Sequence, residues 1–137
     1  MAKLNFGGVE ENVVTREEFS LEKAREVLKD EVIAIIGYGV QGPAQALNLR
    51  DSGADVAVAA RPGGAAWETA LEDGFEVMEV RKGAAEADIL VCLLPDEVQG
   101  DVYRKDIAPV LSAGSAICFA HGFAVTFGQI DPGSFDL

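Results

Sequence analysis

A chain of 137 residues, 49% hydrophobic and 25% charged, has the length and composition of one globular domain with a buried core. Its formal net charge of −12 argues against a nucleic-acid or anionic-membrane surface, since both need a basic face, and means that any anionic ligand must be held by local donors. No apolar run reaches the length of a membrane span, and the N-terminus is too polar and acidic for a secretory signal or transit peptide, so a cytoplasmic protein is expected.

Residues 1–14 show no clear periodicity, and Gly7-Gly8 suggests a loose arm. Thr15–Glu18 has the form of a capping box, and Ser20 offers a second helix start. Leu21, Ala24, Val27 and Leu28 then recur at helical spacing, predicting a helix over 20–29 that packs across an edge or face of the sheet that follows.

Val32–Ile36 is a short apolar run, β-branched at four of its five positions. Three glycines follow it, at Gly37, Gly39 and Gly42, and then a helical segment with Ala46, Leu47 and Leu49 apolar, stopped by Gly53. Strand, glycine turn and helix form the context in which G-x-G-x-x-G reads as a dinucleotide fingerprint. Gly37 permits the turn out of the strand, Gly39 lets a pyrophosphate approach the backbone, and Gly42 lets the helix pack closely on the strand. The free N–H groups and dipole at the helix start favour the phosphates. The bland alternative is a tight turn that binds nothing.

The rest of the chain alternates. Asp55–Ala60 predicts a buried second strand, ended by Arg61-Pro62-Gly63-Gly64. Ala65–Asp73 predicts a helix with Trp67, Ala70 and Leu71 on one side, closed by Gly74. Phe75–Val80 predicts a third strand, Lys82–Ala87 a brief helix, and Ile89–Leu94 a fourth strand ended by Pro95. Glu97–Tyr103 and Ile107–Leu111 give a broken helical stretch, and Ser115–Ala120 a fifth strand running into His121-Gly122-Phe123. Cys92 and Cys118 each fall in an apolar strand, so both read as buried free thiols; the lone His121 leaves no Cys/His metal cluster.

Such alternation predicts an α/β fold: a Rossmann-like, doubly wound parallel sheet in a single three-layer αβα domain over 20–137, after an arm at 1–19. Ligands in such sheets sit beyond the carboxyl ends of the strands. Four loops occupy that edge: Gly37–Gly42, Arg61–Ala66, Pro95–Gln99 and His121–Phe123. The place where an NAD site usually carries a carboxylate holds Arg61, 24 residues after Gly37. Arginine pairs with a 2′-phosphate and stacks on adenine, so Arg61 favours NADP, with help from the backbone N–H groups of Gly63 and Gly64. Gly64 and Ala66 offer no side-chain hydroxyl. His121, polar and at a strand's carboxyl end before the permissive Gly122, is a candidate catalytic or cofactor-orienting group.

IIGYGVQGPAQALNLRDSG, LLPDEVQ and FAHGF–FGQI, in that order, resemble ketol-acid reductoisomerase, also called acetohydroxyacid isomeroreductase, and VVTREEFSLEKAREVLKDE looks like the leading segment of some members. The resemblance covers nearly the whole chain. It implies an NADPH-dependent enzyme of branched-chain amino-acid biosynthesis that acts on 2-acetolactate or 2-aceto-2-hydroxybutyrate. A Mg²⁺-dependent alkyl migration is followed by hydride transfer, giving 2,3-dihydroxyisovalerate from 2-acetolactate, and the parent enzyme is expected to be a homo-oligomer.

By resemblance, Gly37, Tyr38, Gly39, Val40, Gln41 and Gly42 lie along the cofactor pyrophosphate, and Arg61, Gly64 and Ala66 at the 2′ position. Leu94, Pro95, Asp96 and Gln99 line the middle and nicotinamide end, and His121 with Gly122 lies near the reaction centre.

Two departures qualify it. Many members carry serines in R-x-G-S-x-S-W; here the loop reads Arg61-Pro-Gly-Gly-Ala-Ala66-Trp67, and each missing charge-assisted hydrogen bond is worth ~1.5–3 kcal/mol. NADH use is therefore expected to be possible beside NADPH. Members also continue from PP-x-DVDV into a further strand and a knotted helical domain holding the metal carboxylates, whereas this sequence reads Asp131-Pro-Gly-Ser-Phe-Asp-Leu137 and stops. Asp96 and Glu97 are adjacent and would point apart, so no magnesium site is expected here: the chain should bind cofactor without turning over alone. Two alternatives stay open: another hydroxyacid dehydrogenase, or a non-catalytic NAD(P)-sensing module.

Overall fold

The structure, a computed structural model, describes residues 1–131. Residues 132–137, where the resemblance compares the chain with PP-x-DVDV, lie outside them. The chain divides into two compact units, Met1–Asp30 and the remainder from Glu31.

The first unit holds an antiparallel hairpin rather than a loose arm. β1 (Ala2–Phe6) and β2 (Val9–Val13) pair in register from Ala2↔Val13 to Phe6↔Val9. The two residues between them, Gly7 and Gly8, have φ of +64° and +101°. A two-residue hairpin loop with positive φ at both positions matches the strand twist, and glycine adopts it without a Cβ clash. Helix α1 (Leu21–Leu28) starts at the second predicted cap: the Ser20 hydroxyl accepts the Lys23 N–H at 3.3 Å. Thr15–Glu18 forms a turn instead, and the Glu18 carboxylate takes the N-terminal ammonium at 3.0 Å, which holds its carboxyl below the ordinary range.

The second unit is built on β3 (Val32–Ile36), β4 (Asp55–Ala59), β5 (Glu76–Met78), β6 (Ile89–Cys92) and β7 (Ala116–Phe119). All four pairings are parallel and the order is β5-β4-β3-β6-β7, so the chain runs outward from β3 on one side and returns to β3's other side at β6. The two-residue side-chain period of a strand then sorts the core into two layers. Ala34, Ile36, Ala57, Ala59, Leu90 and Cys92 face one layer, while Ile33, Ile35 and Val58 face the other.

The second layer is covered by α2 (Gly42–Asp51) through Ala46 and by α3 (Ala65–Glu72) through Ala70; Leu71, expected on that side, is 48% exposed. The first is covered by α4 (Val80–Glu86), by a π-helical segment Tyr103–Ile107 continuing α5 (Asp96–Val102), and by the short α6 (Phe123–Thr126). The doubly wound, three-layer αβα fold is as expected. The five strands match the predicted runs to within one or two residues at each end. The segment His121-Gly122-Phe123, read as a loop, leads directly into α6. Among the described residues no helix is long and apolar enough to cross a membrane.

One of the two thiols differs from expectation. Cys92 is 2% exposed in the central β6, and burial pushes its thiol up to about 11, whereas Cys118 lies exposed on the edge strand β7. A thiol reacts as its thiolate, so Cys118 is expected to take a maleimide quickly in the native protein and Cys92 only on unfolding, a difference that mass spectrometry after timed labelling reads directly.

Candidate functional site

The sheet's carboxyl edge changes direction between β3 and β6, the topological switch point where doubly wound sheets bind ligands. A cleft of about 980 Å³ opens there. Its floor is the turn after β3, from Gly37 to Gln41; one wall is the loop after β4, with Arg61, Gly64 and Ala66; the other is Leu94 and Pro95 after β6. Ten of the residues singled out from the sequence thus meet around one space.

The three fingerprint glycines are required for different reasons. Gly37 has φ +98°, and a Cβ there would lie 3.0 Å from Leu94 Cδ2 and 3.3 Å from the Leu93 carbonyl. At Gly42 a Cβ would stand 2.5 Å from the Gly37 carbonyl oxygen, so the start of α2 rests directly on the turn. Both glycines are demanded by the fold itself. Gly39 is not: its φ is not positive, and a Cβ there would meet nothing within 4 Å. Neighbouring Val40 is 95% exposed at the tip of the same turn. The missing side chain at Gly39 leaves open space over backbone N–H groups at a helix start, a ready cradle for an anion.

On the β4 side, the Gly64 N–H donates to the Arg61 carbonyl at 3.2 Å, and Gly63 completes this turn with φ +66°. Gly64 caps α3 with no side-chain bond. The first N–H groups of a helix have no partner inside it, so the donors at Ala65 and Ala66 face the cleft end of α3. Arg61 is exposed and makes no ion pair among the described residues, leaving its guanidinium available to a ligand.

Gly42 lies beneath the turn, and four more candidates lie elsewhere. Gln99 is buried, 3% exposed; its amide donates to the Leu94 carbonyl at 2.5 Å, and its Oε1 has no hydrogen-bond partner. It braces the turn after β6 rather than facing the cleft. Asp96 opens α5, and its Oδ2 lies 3.6 Å from His121 Nδ1, beyond hydrogen-bond reach. The Phe123 N–H donates to that Nδ1 at 3.2 Å. His121, 71% exposed, and Gly122 therefore stand one strand beyond the cleft, after β7. Among the described residues no three His, Cys, Asp or Glu side chains gather as a metal site.

Tyr38 contributes backbone to the cleft, but its side chain turns inward. It is 3% exposed, its ring meets Phe75 edge-on at 5.9 Å, and its hydroxyl donates to Asp73 Oδ2 at 2.7 Å. Burial, and then the Asp73 carboxylate, push this phenol upward, so it stays a proton donor throughout the physiological range.

The far wall of the cleft escaped the sequence reading: Glu79, Val80 and Arg81 at the start of α4, Val98 and Val102 on α5, and Lys105 with Asp106 in the π-helical segment. Arg81 Nη1 donates to the Lys105 carbonyl at 3.3 Å, tying the two elements together. A π-helical turn often marks a functional site, but it leaves no signature in residue spacing.

Comparison with known proteins bears on this geometry. Residues 27–135 match the family described as acetohydroxy acid isomeroreductase, NADPH-binding domain. The chain is 47% identical to a ketol-acid reductoisomerase (NAD(+)) of Desulfosudis oleivorans, a match covering all of this chain and 41% of that protein. It is 50% identical to a ketol-acid reductoisomerase (NADP(+)) of Methanocaldococcus jannaschii, over 78% of this chain and 32% of that one. Among solved structures, an NADH-preferring ketol-acid reductoisomerase from an uncultured archean superposes with a TM-score of 0.75 at 45% identity, over 80% of this chain and 35% of that one. The chain thus spans between about a third and two fifths of the length of these relatives. By the family match and the shared fold, this chain belongs to the ketol-acid reductoisomerase family, within its NADPH-binding domain.

Proposed function

We propose that this chain holds the hydride donor of a ketol-acid reductoisomerase, binding NADPH or NADH across the carboxyl edge of its sheet. The observation that carries the reading is Gly39, a glycine the fold does not need, placed where a pyrophosphate would lie on the turn. In this reading the adenosine half lies toward Arg61 after β4 and the nicotinamide half toward Pro95 and His121 after β6 and β7, an orientation in keeping with the strand order. The nicotinamide supplies the hydride that reduces a carbonyl substrate. The chain's own part is to grip the pyrophosphate on the glycine turn, anchor the ribose end near Arg61, and keep the donor ring beside β6.

The enzyme as a whole is proposed to convert 2-acetolactate and 2-aceto-2-hydroxybutyrate to dihydroxy acids in branched-chain amino-acid biosynthesis, in the cytoplasm and as a homo-oligomer. Magnesium would serve the alkyl migration by polarising oxygens. The described residues gather no ligand set for it.

Use of both cofactors is supported by the loop chemistry and by the relatives' names, which include NAD(+), NADP(+) and NADH-preferring enzymes. We assign Arg61, at the end of β4, to a 2′-phosphate, while Gly64 and Ala66 add only backbone donors. Arg61→Ala is expected to raise the Kd for NADPH about tenfold and that for NADH less than about threefold, the exposed position holding the loss below that of a buried pair. Side-by-side fluorescence titrations measure this, and equal losses for the two cofactors would remove Arg61 from the 2′ position.

A further inference from the structure

Resting on the dinucleotide reading, we infer that Tyr38 is a positioning residue that holds the glycine turn in its anion-binding shape, acting through its hydrogen bond to Asp73. The motif places a tyrosine between two glycines whose backbone must meet a phosphate, yet its side chain goes the other way, into the core layer beneath α2 and α3. Three elements meet at that point. The Tyr38 hydroxyl reaches the carboxylate of Asp73, the residue that ends α3. The Asp73 carbonyl in turn accepts from Arg50 Nη1, in the last turn of α2, at 2.7 Å. The Arg50 guanidinium lies over the Phe75 ring at 4.4 Å, and that ring packs edge-on against Tyr38. The network closes on itself.

The floor of the turn also rests on this ring. A Cβ at Gly42 would come within 3.3 Å of Tyr38 Cδ2, so ring and helix start are already in contact. The segment just beyond Tyr38 has no such support: Gly39 and Val40 are exposed, and Gly39 has open space about its Cα. Tyr38 is the last buried residue before the chain leaves the core. Fixing it fixes where the free N–H groups begin. A turn that holds the binding shape only part of the time binds more weakly in proportion to that fraction.

The test uses the full chain and two probes: ADP-ribose, which carries the pyrophosphate, and 2′-AMP, which reaches only the adenosine end. Tyr38→Phe keeps the ring and its packing and removes the hydroxyl. It is expected to weaken ADP-ribose about tenfold, and to leave 2′-AMP, followed by NMR shifts, within about twofold. Asp73→Asn keeps an acceptor and should retain near-parental ADP-ribose binding, whereas Asp73→Ala should reproduce the loss. Undiminished ADP-ribose binding by both Tyr38→Phe and Asp73→Ala would overturn the inference. So would equal weakening of both probes with a lowered melting temperature, which would assign the pair to stability alone. Failure of the parent chain to bind ADP-ribose would instead overturn the dinucleotide reading on which the inference stands.

Discussion

Gly39→Ala is expected to weaken dinucleotide binding at least about tenfold, and Gly39→Val at least about a hundredfold, while neither lowers the melting temperature. The reason is the asymmetry among the three glycines. A Cβ at Gly39 meets no protein atom within 4 Å and the backbone there is not in the left-handed region, so the folded chain tolerates a side chain. Where the native conformation suits alanine, replacing glycine reduces the unfolded chain's freedom and stabilises by about 0.4–1 kcal/mol. The apo protein should therefore melt at the same temperature or slightly higher. The added methyl groups occupy the space a pyrophosphate needs, and each factor of ten in Kd corresponds to about 1.4 kcal/mol of lost binding. Calorimetric titration beside thermal unfolding separates the two effects. A turn that served only to join strand and helix would show the same or slightly higher melting temperature without the loss of affinity.

Gly42→Ala is expected to do the opposite, damaging fold and site together. Its Cβ would stand 2.5 Å from the Gly37 carbonyl oxygen, which is backbone and cannot rotate aside. Either α2 lifts from the turn or the turn opens, and overpacking of this kind costs about 1–3 kcal/mol. For a domain of this size that lowers Tm by roughly 5–15 °C. The displaced turn loses its anion cradle as well, so affinity should fall with stability. Circular-dichroism melting and a cofactor titration on the same sample check both, and an unchanged Tm would show that helix and turn have more room than the distance allows.

The parallel strands were legible because strands covered on both faces read as unbroken apolar runs, as Val32–Ile36 and Ile89–Cys92 do. The glycine turn was legible because its three positions have distinct physical demands. The hairpin was missed although Gly7-Gly8 is a strong two-residue turn signal, because its strands, AKLNF and VEENV, are largely exposed and carry no clear apolar alternation. The inward turn of Tyr38 depends on Asp73, 35 residues away, and on the stacking of α2 and α3. The same holds for Lys105 and Asp106, which reach the cleft only because the chain reverses direction at β6 and a π-helical turn follows α5. Cys118 escaped burial because strand order, invisible in local pattern, puts β7 at the edge.

His121 was read into the site from its place at a strand end, and Gln99, which lies within α5, from the resemblance to the family. Gln99 braces the loop from within, and His121 stands two strands away from the glycine turn, beside Asp96. Chain order brings a residue to the edge, and side-chain direction decides whether it faces the ligand.

The proposed position of the dinucleotide pyrophosphate, on the turn after β3, is open to direct measurement. The most direct measurement is titration of the ¹⁵N-labelled chain with NADH and NADPH, watching the backbone amides. Saturable shifts at Gly39, Val40 and Gln41 with either cofactor, and a larger response near Arg61 with NADPH, are the expected result; no shift at these amides at millimolar cofactor, or shifts confined to another face, would contradict it.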